Sequence, residues 1–175
     1  MKKLLLFAIV VGIITSCSQK QPNKSIKEKI ATMENIVDSV RKTRTLSPDE
    51  MYKLINLYWN YYDENPTDSI SATYLYRAAE SSLYINQGIK AISYLTCIES
   101  EFPTFQNMGN VIFLIGFTYE NNMQDYTKAK QYYELFIEKY PDHPLVKDTH
   151  ILIRNLGKTP EELVKEFETA NAKKK

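Results

Sequence analysis

The sequence predicts an all-α fold, an α-solenoid of antiparallel helical hairpins with about eight helices after an N-terminal leader. Three observations carry that prediction. First, "SIKE" (Ser25 and Glu28), "SPDE" (Ser47 and Glu50) and "TPEE" (Thr159 and Glu162) each place Ser or Thr three residues ahead of Glu. That reciprocal pairing satisfies the first free amides of a helix. Second, apolar-periodic stretches end at Pro66, Pro103 and Pro141, 37 and 38 residues apart; a period of this length built from two helices marks a solenoid. Third, alternating strand-length runs bounded by hairpin turns are absent from the sequence.

The elements follow in order. "MKK" is positively charged, and "LLLFAIVVGII", residues 4–14, is an unbroken apolar run. Its length suits the core of a secretory signal and falls short of the roughly 18 residues that span a bilayer. "ITSC", Ile14 to Cys17, then gives an aliphatic residue, two small residues and a cysteine. This resembles the lipobox of bacterial lipoproteins. The resemblance implies that residues 1–16 are removed and that Cys17 is acylated on its sulfur and its new amino terminus. One acyl chain holds a protein only marginally, so several chains on Cys17 would form the anchor. Losing Lys2 and Lys3 from 22 basic and 21 acidic residues leaves 20 against 21, a net charge of −1. Attachment to a membrane would therefore not need charge, and nothing in the balance points to nucleic acid. Residues 17–25 are the lipidated cysteine and a polar tether, whose segment "SQKQPNKS" can reach roughly 28 Å. Ser18 directly after the cysteine resembles lipoproteins sorted to an outer membrane, facing the periplasm. Cys97 remains the lone thiol, with no internal disulfide, and reads as a small buried hydrophobe.

From residue 26 to 171 the chain reads as one helical domain, followed by a frayed basic tail at 172–175. Helices are expected over 25–43, 48–64, 68–86, 88–101, 105–122, 125–140, 143–156 and 160–170, with short connections that favour antiparallel neighbours. Ala91, Leu95 and Ile98 precede Pro103 with the same offsets by which Ala129, Tyr133 and Phe136 precede Pro141. Upstream lie Leu75, Ala78, Ala79 and Ser82 in one unit, and Ile112, Ile115, Gly116 and Tyr119 in the next. This arrangement resembles the tetratricopeptide repeat, best over 68–104 and 105–144. Over 45–66 the likeness is weaker, with Leu54, Tyr58 and Tyr61 at the second-helix offsets. Ser82 stands where the repeat has tyrosine, and "ENNMQDY" carries one extra residue. Antiparallel helices approach closely only where side chains are small. Gly116 and Ala79 are therefore expected to face Ala129 and Ala91, with Leu95, Tyr119, Tyr133 and Phe136 filling the wedges.

Residues 25–43 carry Ile26, Ile30, Met33, Val37 and Val40 in a four–three rhythm. Two heptads are few for a coiled coil, so this helix is expected to cap the solenoid, with self-association through 26–43 as the alternative. Helices 143–156 and 160–170 are expected to cap the other end, since solenoids need polar-faced ends.

The sequence offers little chemistry. His143 and His150 lack partners at metal-ligand spacing and read as surface or loop residues. Phosphate-cradling glycine loops, nucleophile elbows and HExxH segments are not found. We therefore expect no enzyme, cofactor or metal. Trp59, among Tyr58, Tyr61 and Tyr62, reads as core packing. A tyrosine-rich surface binding a glycan or other small ligand is the alternative function. The resemblance implies a concave groove for a peptide. Its residues would be Thr73, Tyr76, Glu80 and Tyr84 on one first helix and Asn110, Phe113, Phe117 and Asn121 on the next. The combination of lipobox and repeat resembles envelope proteins of two groups, the repeat lipoprotein of outer-membrane protein assembly and periplasmic repeat proteins that coordinate division with wall synthesis. It implies a membrane-anchored, non-catalytic scaffold whose partner is another envelope protein or peptide segment.

Overall fold

The structure is a computed structural model describing residues 25–172. The leader, Cys17 and most of the tether lie outside the described residues, as do Lys173–Lys175. Eight helices follow one another: α1 (Ile26–Arg41), α2 (Pro48–Glu64), α3 (Ser69–Tyr84), α4 (Gly88–Glu101), α5 (Met108–Asn121), α6 (Tyr126–Lys139), α7 (Val146–Asn155) and α8 (Pro160–Ala172). No strand occurs among the described residues. From α1 to α7 each helix packs chiefly on the one before it and the one after it. The result is the expected all-helical, tetratricopeptide-like solenoid.

All three anticipated capping boxes form. Ser25 and Glu28 close the start of α1, Ser47 and Glu50 that of α2, and Thr159 and Glu162 that of α8. Asp68 and Asp125 cap α3 and α6 through side-chain oxygens. Two helices start later than expected, α5 at Met108 and α7 at Val146. Phe105 and His143 instead accept from Met108 and Val146 in three-residue turns, and Pro144 disfavours a helical backbone at His143. At the C-terminus Ala172 still belongs to α8, one residue into the expected tail.

Two apolar clusters form the core, and α3 belongs to both. Ala78 faces the first, with Ile30, Val37, Met51, Ile55 and Tyr58 of α1 and α2. Its neighbour Ala79 faces the second, with Ala91, Leu95, Ile98, Ile112, Ile115 and Phe136 of α4–α6. Adjacent alanines thus let one helix be covered on two sides. Ala129 and Tyr133 are also fully buried, while Tyr119 is half-buried and stacks on Tyr132 at 5.8 Å.

The close approach at Gly116 differs in partner from the expectation. A β-carbon there would lie 2.8 Å from the Tyr133 ring and 3.3 Å from Tyr132 Cβ. Glycine is thus required by an aromatic ring, not by Ala129. A second close approach was not anticipated: a β-carbon on Gly88 would lie 2.5 Å from Asn122 Cβ. Asn122 Nδ2 also donates to Asn86 Oδ1 at 2.7 Å, tying the turn of one hairpin to that of the next. Ser82, in the tyrosine position, is buried, and its hydroxyl donates to Ala78 O at 2.7 Å. Each buried side-chain polar atom described has a partner.

Candidate functional site: the cleft between α1 and α3

The seam of α1 turns inward, with Ile30 and Val37 buried against α2. α1 forms a hairpin with α2 at the N-terminal end of the solenoid, and it takes a place beside α3. This leaves Glu34, Asp38 and Arg41 on one stripe, four and three residues apart. They face Arg77, Glu80, Ser81 and Tyr84 of α3 across a cleft of about 510 Å³. Leu54 and Tyr58 of α2 also line it.

The electrostatics of the cleft are mixed and specific. Glu34 Oε1 accepts from Arg77 Nη1 at 2.6 Å and from the Tyr58 hydroxyl at 2.7 Å. Burial and the adjacent Glu34 carboxylate push the Tyr58 hydroxyl well above its ordinary range. The Arg41 guanidinium lies 5.6 Å from the Tyr84 ring centre, a cation–π distance. Burial pushes the Glu80 carboxyl up, against the opposing pull of Tyr76 and Arg77. Tyr76 is itself pushed up to about 12, by burial first and then by Glu80. A partly desolvated carboxylate, an exposed Asp38 and a 49% exposed Tyr84 ring thus share one concavity. Such a surface offers acceptors for a donor or cation beside an aromatic contact for an apolar group.

The eight groove residues proposed from the sequence are not brought into one cavity. Glu80 and Tyr84 line the α1–α3 cleft. Thr73 lines another, of about 350 Å³, with Ile70, Phe102 and Phe105, and the Tyr76 ring lies 6.1 Å from that of Phe105. On α5, Phe113 turns towards α6, its centroid 5.8 Å from Tyr133 and 5.6 Å from Phe136. It is a packing residue, and this corrects its assignment to a groove. Phe117 stacks on it at 6.3 Å and is 36% exposed. Asn110 is half-buried and Asn121 exposed, with Asn121 Nδ2 donating to Phe117 O. Sequence reasoning missed Glu34, Asp38, Arg41 and Arg77. The shared face of Glu34, Asp38 and Arg41 on the first helix was visible, but only α1's place beside α3 and Arg77 gives it meaning.

Other candidates sit elsewhere. Trp59 is 39% exposed, with ring centres 5.2 Å from Tyr62 and 5.8 Å from Tyr94. It belongs to a surface aromatic cluster and not to the core. Cys97 is half-buried, and burial pushes its thiol up, which disfavours the reactive thiolate. His143 packs edge-on against Phe136 at 5.0 Å, its Nδ1 accepting from Leu145 N, while His150 is exposed. No group of three or more His, Cys, Asp or Glu among the described residues could hold a metal. None of the described helices is long and apolar enough to cross a membrane.

Comparison with known families places one segment. The family model of the tetratricopeptide repeat matches residues 110–143, which take in most of α5, all of α6 and the turn beyond it. No curated protein matches the chain. The chain thus carries a tetratricopeptide repeat within an all-helical solenoid, and that repeat supports a protein–protein interaction module of a generally non-catalytic kind.

Proposed function

We propose that this protein is a lipid-anchored scaffold of a bacterial cell envelope. Acyl chains on Cys17 would hold it to a membrane, in the outer membrane facing the periplasm, and the α1–α3 cleft would take a segment of another envelope protein. In type it would stand beside the repeat proteins of outer-membrane assembly and envelope division. The observation that carries the reading is the cleft itself: first helices of successive hairpins, side by side, with Asp38, Glu80 and Tyr84 on the walls. The guest that fits brings a basic or amide donor next to an apolar side chain. Self-association along the α1 seam is not part of this reading, because Ile30 and Val37 are spent on α2.

The test is a crosslinked pull-down from detergent-solubilised envelope with wild type and with Glu80→Ala/Tyr84→Ala. We expect a partner recovered by wild type and lost from the variant, whose exposed positions leave the fold intact. Equal recovery from both would remove the cleft from the account. Mass spectrometry of the mature chain should find an acylated amino-terminal Cys17. An unmodified N-terminus would end the anchored reading.

One observation favours a second reading, a glycan or small-ligand surface: Trp59 stands partly exposed beside Tyr62 and Tyr94. Saturable quenching of Trp59 emission by sugars would support it, and unchanged emission would exclude it.

A further inference from the structure

The chain enters α1 at one edge of the solenoid, and the contacts around that entry define the edge. Lys27, in the first turn of α1, sits with its Nζ 5.2 Å from the Tyr61 ring centre near the end of α2. The Tyr61 hydroxyl donates to Asp68 Oδ2 at 2.5 Å, and Asp68 caps the start of α3. The Tyr62 hydroxyl donates to Glu101 Oε2 at 2.7 Å, and its ring centre lies 6.4 Å from that of Phe102. Ser25 thus shares an edge with the α2–α3 connection, residues 65–68, and the α4–α5 connection, residues 102–107.

The crevice of about 350 Å³ lies between those two connections. Ile70, Phe102 and Phe105 give it an apolar wall, and Thr73, Thr104 and Gln106 give it hydroxyl and amide groups. No charged residue lines it. Ile70 is 41% exposed, and Pro66, Thr67, Pro103 and Thr104 are exposed as well. Asp68, the one charged residue of the two connections, is spent on Tyr61 and on the Ile70 amide. The opposite edge lies about 24 Å away along α1 at 1.5 Å per residue. Lys42, Arg44 and Lys90 are exposed there, and its most exposed aliphatic side chain, Ile89, adjoins Lys90 in the chain.

The chain that precedes α1 indicates what the uncharged edge faces. Eight peptide steps separate Cys17 from Ser25, a reach of at most roughly 28 Å. We propose that the edge formed by residues 65–70 and 102–107 rests on the lipid surface to which Cys17 is anchored. Ile70 enters the headgroup layer with Phe102 and Phe105 behind it, and Thr73, Thr104 and Gln106 donate to lipid phosphate and ester oxygens. The inference rests on the anchored reading of Cys17. Contact made from within a short linker needs little affinity of its own, because the linker sets an effective concentration on the order of millimolar. Exposed Asp63, Glu64 and Glu101 flank the crevice and are repelled by anionic headgroups, so the surface that fits is zwitterionic. The α1–α3 cleft is lined from Glu34 and Arg77 onward, on the halves of α1 and α3 away from this edge. Its guest therefore enters from the aqueous side.

Fluorescence quenching on the full-length, acylated chain in phosphatidylcholine vesicles tests this, with a nitroxide-headgroup lipid as quencher. In a Cys97→Ala background, a fluorophore is attached at Thr104→Cys on this edge or at Lys42→Cys on the opposite one. An acylated Cys17 has no thiol left to label. Flotation with the vesicles and the mass of the amino-terminal residue report the anchor separately. We expect quenching several-fold stronger at position 104 than at position 42. Adding Ile70→Glu, a change at an exposed position, should abolish that difference and leave thermal unfolding unchanged. A chain that floats but is quenched equally at the two positions would overturn this inference and leave the anchor standing. Quenching at position 104 that survives Ile70→Glu would show that the tether alone keeps the edge near lipid, and would overturn the contact. A chain without acyl groups that stays in solution would end the anchored reading and this inference with it.

Discussion

The α5–α6 hairpin and the α1–α3 region are built from similar residues and come out differently. In α5–α6, Gly116 lets the Tyr133 ring lie against the α5 backbone, and Phe113 and Phe136 close the space beside it. The aromatic rings there are used up in bringing two helices together. In α1–α3, Tyr58 stacks on Tyr74 at 5.5 Å, and its hydroxyl turns to Glu34. Arg77, Glu80 and Tyr84 then stand where a further helix contact would be, and a cleft remains. A small residue at the contact closes the gap between helices, while long charged side chains at the same level hold it open. The segment that matches the repeat family is the closed one, and the candidate site lies in the open one.

Removing a ring from each region sharpens the contrast most. Phe136→Ala deletes a fully buried ring and should cost about 3–5 kcal/mol in urea unfolding. Tyr84→Ala, at a half-exposed position, should stay within about 0.5 kcal/mol. Similar losses from both would mean that the α1–α3 wall is packed as tightly as the hairpin. Next in size is Gly116→Ala. Alanine favours a helix over glycine by about 1 kcal/mol, yet its β-carbon would meet the Tyr133 ring at 2.8 Å. That ring cannot readily retreat, because it is fully buried and its hydroxyl donates to Glu120 at 2.6 Å. We expect a net loss of about 1–3 kcal/mol, and Ala129→Leu should cost a similar amount. Stabilisation by Gly116→Ala would show that the hairpin is looser than its distances indicate.

The same contrast explains what could be read from the sequence. Helix starts were legible because a cap is a local event: Ser47 and Glu50 need only each other and the backbone between them. The hairpin period was legible because Pro66, Pro103 and Pro141 punctuate it. Phe113 was misplaced because α5 is apolar on nearly every side, so periodicity cannot tell the face towards α6 from the face towards a groove. Trp59 was misplaced for a related reason. A tryptophan among tyrosines reads as core, yet Tyr58 and Tyr61 take the buried stripe of α2 and leave Trp59 a position off it. The cleft was invisible in a stronger sense, since Glu34 and Arg77 are 43 residues apart and no local pattern links them.

The smallest expected effect concerns the loop that joins α1 to α2. Arg44, then Ser47, hold the Glu50 carboxyl down to about 2, from an ordinary value of 4.5. Arg44 Nη2 lies 2.6 Å from Glu50 Oε1. A carboxyl with a lowered folded-state pKa contributes stability that is fully present above its unfolded value. That contribution fades as the pH falls from about 4.5 towards 2. Glu50→Gln keeps a residue able to complete the capping box but cannot pair with Arg44 as an ion. Wild type should therefore be slightly more stable than the variant at neutral pH, with most of the difference gone by pH 2. The site is solvent-exposed and its ion pair is screened by salt, so the difference should also diminish at high ionic strength. Parallel urea titrations of the two proteins across that pH range measure it. A gap that persisted at pH 2 would assign the effect to side-chain packing in the loop and not to the charge of Glu50.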